Sequence, residues 1–440
     1  MRANSLASVM SPAVNWRALE CWGAGISIFL QTGALFPLLL TDADGSLSDP
    51  AKAKLRLLSL PVYAFTALAL ARNIPHFLIA LRRDLIFPLI LVLPFLSIFW
   101  SVSPSTSLRR AVGLLFTILL AYALAIRFTP RQLLMIVFAT VGACILLSVV
   151  ALIASPNLAR MPLDGSIRGI FVHKNILGWY ASIMIPVATI MLIDGTMGWR
   201  RTAFMLLAAG TFCLLMSGSM TATITTGSAF CLIGFYTILQ RTHGIARILI
   251  ILFSIQMLVW LLVMLHEFLV PVLEGLGKDA TLTGRVPLWE LVDGQIAAHP
   301  IFGFGYQAFW TEANPDAWTI WEAIQWMAPH SHNGFRDTML SFGISGTMLF
   351  AVVLLRAVRQ GAVLHCRDPH YGWLWLNVFL VMILVMNLTE SMFLIQNDAI
   401  FVLFATAIIM FSLYAPVVSL SSSPLRPTFA PGATRILQIR

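Results

Sequence analysis

Apolar residues dominate this chain, and polar ones fall in short interruptions between long apolar runs. A helix crosses the hydrocarbon of a bilayer in about 20 residues. By that measure the sequence predicts twelve spans, centred near residues 29, 63, 92, 119, 143, 184, 209, 231, 257, 347, 380 and 405. Several carry proline (Pro37, Pro61, Pro88, Pro94, Pro186), which a membrane helix tolerates where neighbouring helices or water satisfy the freed carbonyls. The span near 231 opens with Thr221, Thr223, Thr225, Thr226 and Ser228, too polar for lipid, so it is expected to face the bundle interior. One long stretch breaks the pattern. Residues 271–337 lie between two apolar runs, hold five of the thirteen tryptophans, and are where chemistry is expected. Within them Leu288, Leu291, Val292 and Ile296 recur at helical spacing opposite Glu290, Asp293 and Gln295, which predicts a helix lying in the membrane interface. The chain thus divides into a nine-span bundle (1–270), a large loop (271–337), three further spans (338–414) and a Ser- and Pro-rich tail (415–440) that reads as disordered.

Composition turns this into an all-α integral membrane protein. Hydrophobic residues make up 59% of the chain and charged residues 11%, against about 25% charged in soluble domains. The net charge of +9 does not signal nucleic acid, because the basic residues sit in clusters between spans. With the N-terminus in the cytoplasm, 17 Lys and Arg fall inside and 11 outside, the positive-inside bias. The loop 271–337 then lies outside, with three basic and eight acidic residues. Cys21, Cys144, Cys213, Cys231 and Cys366 are too scattered for a disulfide framework or a thiolate metal site. The first span lacks a clear cleavage site before it and reads as a retained helix.

Candidate chemistry lies on the outer side. Arg168 and Arg285 each stand beside glycine, Gly169 and Gly284. A guanidinium fork can clamp phosphate oxygens while glycine lets backbone approach; the alternative is an arginine snorkelling to lipid headgroups. His332 is a candidate general base for a sugar hydroxyl, whereas His330, His299 and His173 read as loop histidines bonding locally. Trp310 and its neighbours suit either sugar stacking or interfacial anchoring. Glu390 either orients a cation or hydroxyl or is solvated. Asp42 and Asp44 form a carboxylate pair able to hold Mg²⁺, although the turn-forming run around them reads better as a solvated loop. Gly303-Phe304-Gly305 is not a nucleotide loop, since no strand precedes it.

Together, Thr283-Gly284-Arg285 with Trp289, His299-Pro300, Gly303-Phe304-Gly305, His332-Asn333-Gly334 and the Gly343–Gly346 turn resemble the O-antigen ligase and Wzy-type polymerase superfamily. Arg168-Gly169 with His173-Lys174-Asn175, and Trp100-Ser101 with Pro104 and Leu108-Arg109-Arg110, fit the same pattern. The long loop with Gly305-Tyr306 and Phe309-Trp310 is most similar to the exopolysaccharide polymerases of that superfamily. The resemblance implies a GT-C-like bundle of transmembrane helices. It also implies metal-independent, inverting glycosyl transfer at the periplasmic face of the bacterial inner membrane, without a cofactor. The implied donor is a saccharide on undecaprenyl diphosphate, and the implied acceptor is a glycan hydroxyl. Arg168 and Arg285 then bind the diphosphate, with His330, Trp310 and Glu390 as further substrate contacts, and His332 deprotonates the acceptor. The expected partners are the bilayer and the chain-length regulator and flippase of the same pathway, and no nucleic acid. Many members carry a basic residue in the stretch matching Ser217–Thr221, where this chain has Met220. Two alternatives stand beside the polymerase: a ligase passing finished glycan to another acceptor, and a transporter of lipid-linked sugars. Transport is disfavoured because the spans are nearly free of charge and show no related halves.

Overall fold

The computed structural model describes residues 15–36, 54, 57–162, 164–195, 198–254, 256–257 and 285–416. Asp42, Asp44, Thr283, Gly284, most of the ninth expected span and the tail lie outside the described residues. The described chain is helical, with only an isolated bridge pairing Arg160 and Ile167. Its helices are α1 (Trp16–Gln31), α2 (Leu60–Ala71), α3 (Ile74–Arg83), α4 (Phe87–Leu96), α5 (Pro104–Arg127) and α6 (Pro130–Ala154). The one-turn α7 (Pro156–Ala159), then α8 (Lys174–Asp194), α9 (Arg200–Ser217) and α10 (Met220–Arg241) follow. After α11 (Gly244–Ser254) come α12 (Arg285–Ala298), α13 (Pro315–Ile324), α14 (Gly334–Arg367), α15 (Trp373–Met386) and α16 (Ala399–Tyr414).

Among the described residues, α5, α6, α8, α10 and α14 are long and apolar enough to cross a membrane, and α2 with α3 reaches that measure only as a pair bent by 89°. Six of the twelve expected spans thus have a described helix, or bent pair, that meets this measure. The bend has a clear purpose. Asn73, at the corner, caps Ala69 and receives a hydrogen bond from Arg127 (3.0 Å), and Asp84, just past α3, meets Arg356 (2.9 Å). Helix α3 is therefore pinned across one end of the bundle. Arg127–Glu20 and Arg131–Asp194, both 2.6 Å, tie the same end together. These are the arginines that the positive-inside count assigns to one side.

The centre of the bundle is α16. It is buried along nearly its whole length, from Ala399 to Ser412, and packs against α5, α14 and α15. A helix apolar all round belongs in an interior. The polar face of α10 turns inward in part: Thr225 and Thr226 are buried, their hydroxyls bonded to the Thr221 and Ala222 carbonyls.

At the opposite end from the arginine pairs, the segment 299–306 wedges into α14. Gly343 breaks that helix (φ 60°, ψ −160°), and the freed amides of Ile344 and Ser345 donate to the carbonyls of Pro300 (2.8 Å) and Ile301 (3.3 Å). Gly343 has no room for a side chain, since a Cβ there lies 2.3 Å from the Ile301 carbonyl carbon. Residues 334–342 are thereby a separate segment fixed to the wedge, and α14 proper begins after the break. Phe304 and Phe309 bury themselves with Leu288, Val292 and Trp321 in a small second core under α12 and α13. Residues 285–333 are thus a packed cap with its own apolar centre. The expected interfacial helix is present as α12, but its buried side chains, Leu288 and Val292, face α13 and α14.

Candidate functional site

The end of the bundle opposite the arginine pairs gathers the starts of four helices around the loop 387–398. Asn333 caps α14 by accepting from the amides of Phe335 and Arg336 (3.1 and 3.0 Å). Its side-chain amide donates to the Leu388 carbonyl (3.0 Å). Gly334 then lies so close to the loop that its amide approaches the carbonyls of Asn387 and Glu390, both at 2.9 Å. A Cβ at Gly334 would sit 1.9 Å from Asn387 Oδ1, which explains the glycine. Arg285 opens α12, His173 caps α8 through its Nδ1 (3.2 Å from the Asn175 amide), and Thr221 in the first turn of α10 shares a hydroxyl hydrogen bond with Thr389 (2.9 Å). Helix starts carry partial positive charge and suit anions.

Glu390 is the hub of this end. It is 2% exposed. Its Oε1 accepts from Arg285 Nη2 at 2.9 Å, and its Oε2 lies 3.5 Å from His332 Nδ1. Arg285 also donates through Nη1 to the Thr389 carbonyl (2.5 Å), so one edge of the guanidinium is fixed to the loop. Burial alone raises the Glu390 carboxyl, but the contact with His332 and the charge of Arg285 outweigh it and hold it below the ordinary glutamate value. A charge-paired carboxylate beside His332 Nδ1 favours the tautomer with the proton on Nδ1, leaving Nε2 as an acceptor. The separation is at the long edge of a hydrogen bond, as is common for catalytic contacts before substrate arrives.

The His332 backbone is left-handed (φ 53°), and its amide donates to His330 Nδ1 (3.2 Å). The two rings pack edge to face, 4.2 Å between centroids. Burial, and then His332, lower the His330 imidazole, so it stays neutral around pH 7. Trp310 does not offer its polar edge: Nε1 donates to Asp337 (3.0 Å), which also accepts from the Ser331 amide (3.1 and 3.2 Å) and the Ser391 hydroxyl.

Arg285, His332, Glu390 and His330 thus come together. Arg168 stands apart in the 155–173 segment, its guanidinium donating to the carbonyls of Leu158 (2.9 Å) and Val172 (3.4 Å). Its acceptor Val172 immediately precedes His173, whose ring is within electrostatic reach of Glu390 and His332 and is lowered first by burial and then by Lys174. The sequence reading left His173 as a local loop histidine, and only its place at the start of α8 could have drawn notice. Met220 is 41% exposed at the start of α10, so that helix start brings hydroxyls and no cation. Among the described residues no group of three or more His, Cys, Asp or Glu could hold a metal ion.

Arg285→Lys tests whether the fork matters. Lysine keeps the charge but cannot bond Thr389 and Glu390 and still point donors at a ligand. If Arg285 clamps a phosphate group, the activity that depends on it should fall about 100-fold with the protein amount unchanged; near-normal activity makes Arg285 a general charge.

Residues 202–351 match a family model described as O-Antigen ligase. The match includes Arg285, Trp310, His330 and His332, while Arg168 and Glu390 lie outside it. The chain is also 32% identical, over 271 residues, to the "Exopolysaccharide production protein ExoQ" of Rhizobium meliloti (strain 1021). That alignment covers 60% of this chain and 61% of the relative, so the chain spans less than two thirds of the curated relative it matches. The chain is therefore a helical membrane protein whose residues 202–351 are similar to an O-antigen ligase domain.

Proposed function

We propose that this protein is a membrane glycosyltransferase that polymerises saccharide units carried on undecaprenyl diphosphate during exopolysaccharide formation. Its site faces the periplasm from the bacterial inner membrane. The observation that carries the reading is the meeting of Arg285 and His332 on one buried carboxylate, Glu390, amid helix starts that favour a phosphate anion. His332 Nε2 takes the proton of the acceptor hydroxyl, whose oxygen attacks the anomeric carbon from the face opposite the diphosphate. The bond from that carbon to the diphosphate oxygen breaks, and the configuration inverts. Charge growing on the leaving group is met by Arg285, with Arg168 as the second guanidinium, so no proton donor and no metal are needed. The bundle and cap hold two lipid-tethered sugars in line. Glu390 steadies the imidazolium until its proton is released.

The family description favours a second acceptor class, in which finished glycan passes to a different molecule by the same chemistry. One reconstitution tests the common step. The purified full chain in vesicles, given a lipid-linked oligosaccharide and EDTA, should release undecaprenyl diphosphate and lengthen the glycan. Transfer that requires added divalent metal, or none with the cognate donor, overturns the reading.

A further inference from the structure

Beside the catalytic cluster lies a cavity of about 170 Å³, large enough for a single sugar ring. His330, Trp310, Arg110, Gln307 and Gln396 line it. His330, on the cavity wall, packs on His332 at 4.2 Å between ring centroids, so a sugar in this cavity lies one ring away from the imidazole that takes the hydroxyl proton. Arg110 is the unusual group. At the far end of the bundle, arginines meet carboxylates: Arg127 with Glu20, Arg131 with Asp194, Arg356 with Asp84. Arg110, partly buried near the outer start of α5, meets only the Gln307 carbonyl among the described residues. The one carboxylate on the cavity wall is Asp337. It is already taken up by the Ser331 amide, Trp310 and the Ser391 hydroxyl, and makes no ion pair with Arg110. A partly buried guanidinium that lines a cavity and has one backbone acceptor among the described residues is poised for an anion.

We propose that this cavity is the acceptor-sugar subsite and that Arg110 recognises a carboxylate carried by the saccharide. The protein is thereby selective for an acidic glycan. Trp310, its ring held by the bond to Asp337, supplies the apolar wall for the sugar ring, and Gln396 and Gln307 supply amide partners for its hydroxyls. The assignment rests on the glycosyl-transfer reading for its role, but its test reads binding alone.

The experiment is calorimetric titration of the full chain in lipid nanodiscs with tetragalacturonate and with its methyl ester, a neutral molecule of nearly the same shape. The acid should bind at least about 10-fold more tightly, the usual worth of a charge-assisted hydrogen bond. Arg110→Gln should erase that difference, and Arg110→Lys, which keeps the charge, should retain part of it. In the wild type, tight binding of the acid with no glycosyl transfer counts against the proposed function and not against the subsite. Equal affinity for acid and ester in the wild type overturns the proposal. Pyrophosphate provides the other arm: if it displaces tetragalacturonate, and Arg110→Gln abolishes pyrophosphate binding, Arg110 belongs to the donor's diphosphate and the proposal falls.

Discussion

Cells carrying His332→Ala should make no polymer, and single lipid-linked units should accumulate on the outer face of the membrane. A transport defect traps those units on the cytoplasmic face, so the side of accumulation separates enzyme from transporter. The ring is partly exposed and its side chain makes a single polar contact, with Glu390, so its removal leaves the apolar packing alone. The backbone there is left-handed, which alanine adopts less readily than asparagine. His332→Asn is therefore the cleaner variant, since it keeps the turn and removes the base. Both should lower the rate ~100- to 10,000-fold. Normal polymer in either refutes the assignment. His330→Ala should do lesser damage, because His330 Nδ1 accepts the His332 amide proton and so holds the turn. Equal loss from His330→Ala and His332→Asn makes the turn, rather than the base, the important feature.

Glu390→Gln should cost nearly as much. Glutamine fills the same space but carries no charge. It can accept from Arg285 with its oxygen while presenting an amide N–H to His332 Nδ1, which favours the wrong tautomer. We expect transfer to fall by about 100-fold or more, with donor affinity changing less than turnover. Thermal unfolding supplies an independent reading. The Glu390 carboxyl is held below its ordinary value in the folded protein, about 4.3 in an unfolded chain. Its ionised contacts therefore stabilise the fold above that pH, and the stabilisation is lost as pH falls through the lower folded value. An acid titration should lower the wild-type midpoint more than that of Glu390→Gln. Parallel midpoints show that the pairing with Arg285 and His332 contributes nothing to the fold.

The sequence was informative where a residue's chemistry was unusual for its surroundings. Apolar runs anticipated helices, but only six of the twelve expected spans have a described helix or bent pair that meets the spanning measure, and the bend at Asn73 and the break at Gly343 depart from simple rods. An arginine beside glycine and a histidine in a polar loop drew notice because few such residues lie on the outer side. Glu390 was visible only as a weak candidate. Its importance comes from pairing with residues 58 and 105 positions away, and no local spacing encodes such a contact. Arg110 was quoted only as part of a motif for the same reason: the absence of a counter-charge is a tertiary fact. The helix-capping role of Asn333 and the lack of room at Gly334 and Gly343 likewise depend on neighbours far along the chain.

The placement of Glu390 bears on how such proteins exchange parts. The guanidinium and the imidazole lie within residues 202–351, the stretch that matches the family model, while the carboxylate joining them stands beyond it, between α15 and α16. A chimera made by swapping the matched stretch alone brings guanidinium and imidazole from one parent and the carboxylate from another. The smallest transplantable unit is therefore not the recognisable domain but the span from the cap through the start of α16. Recombination inside that interval is tolerated only between parents whose 387–398 loops meet Gly334 and Arg285 in the same way.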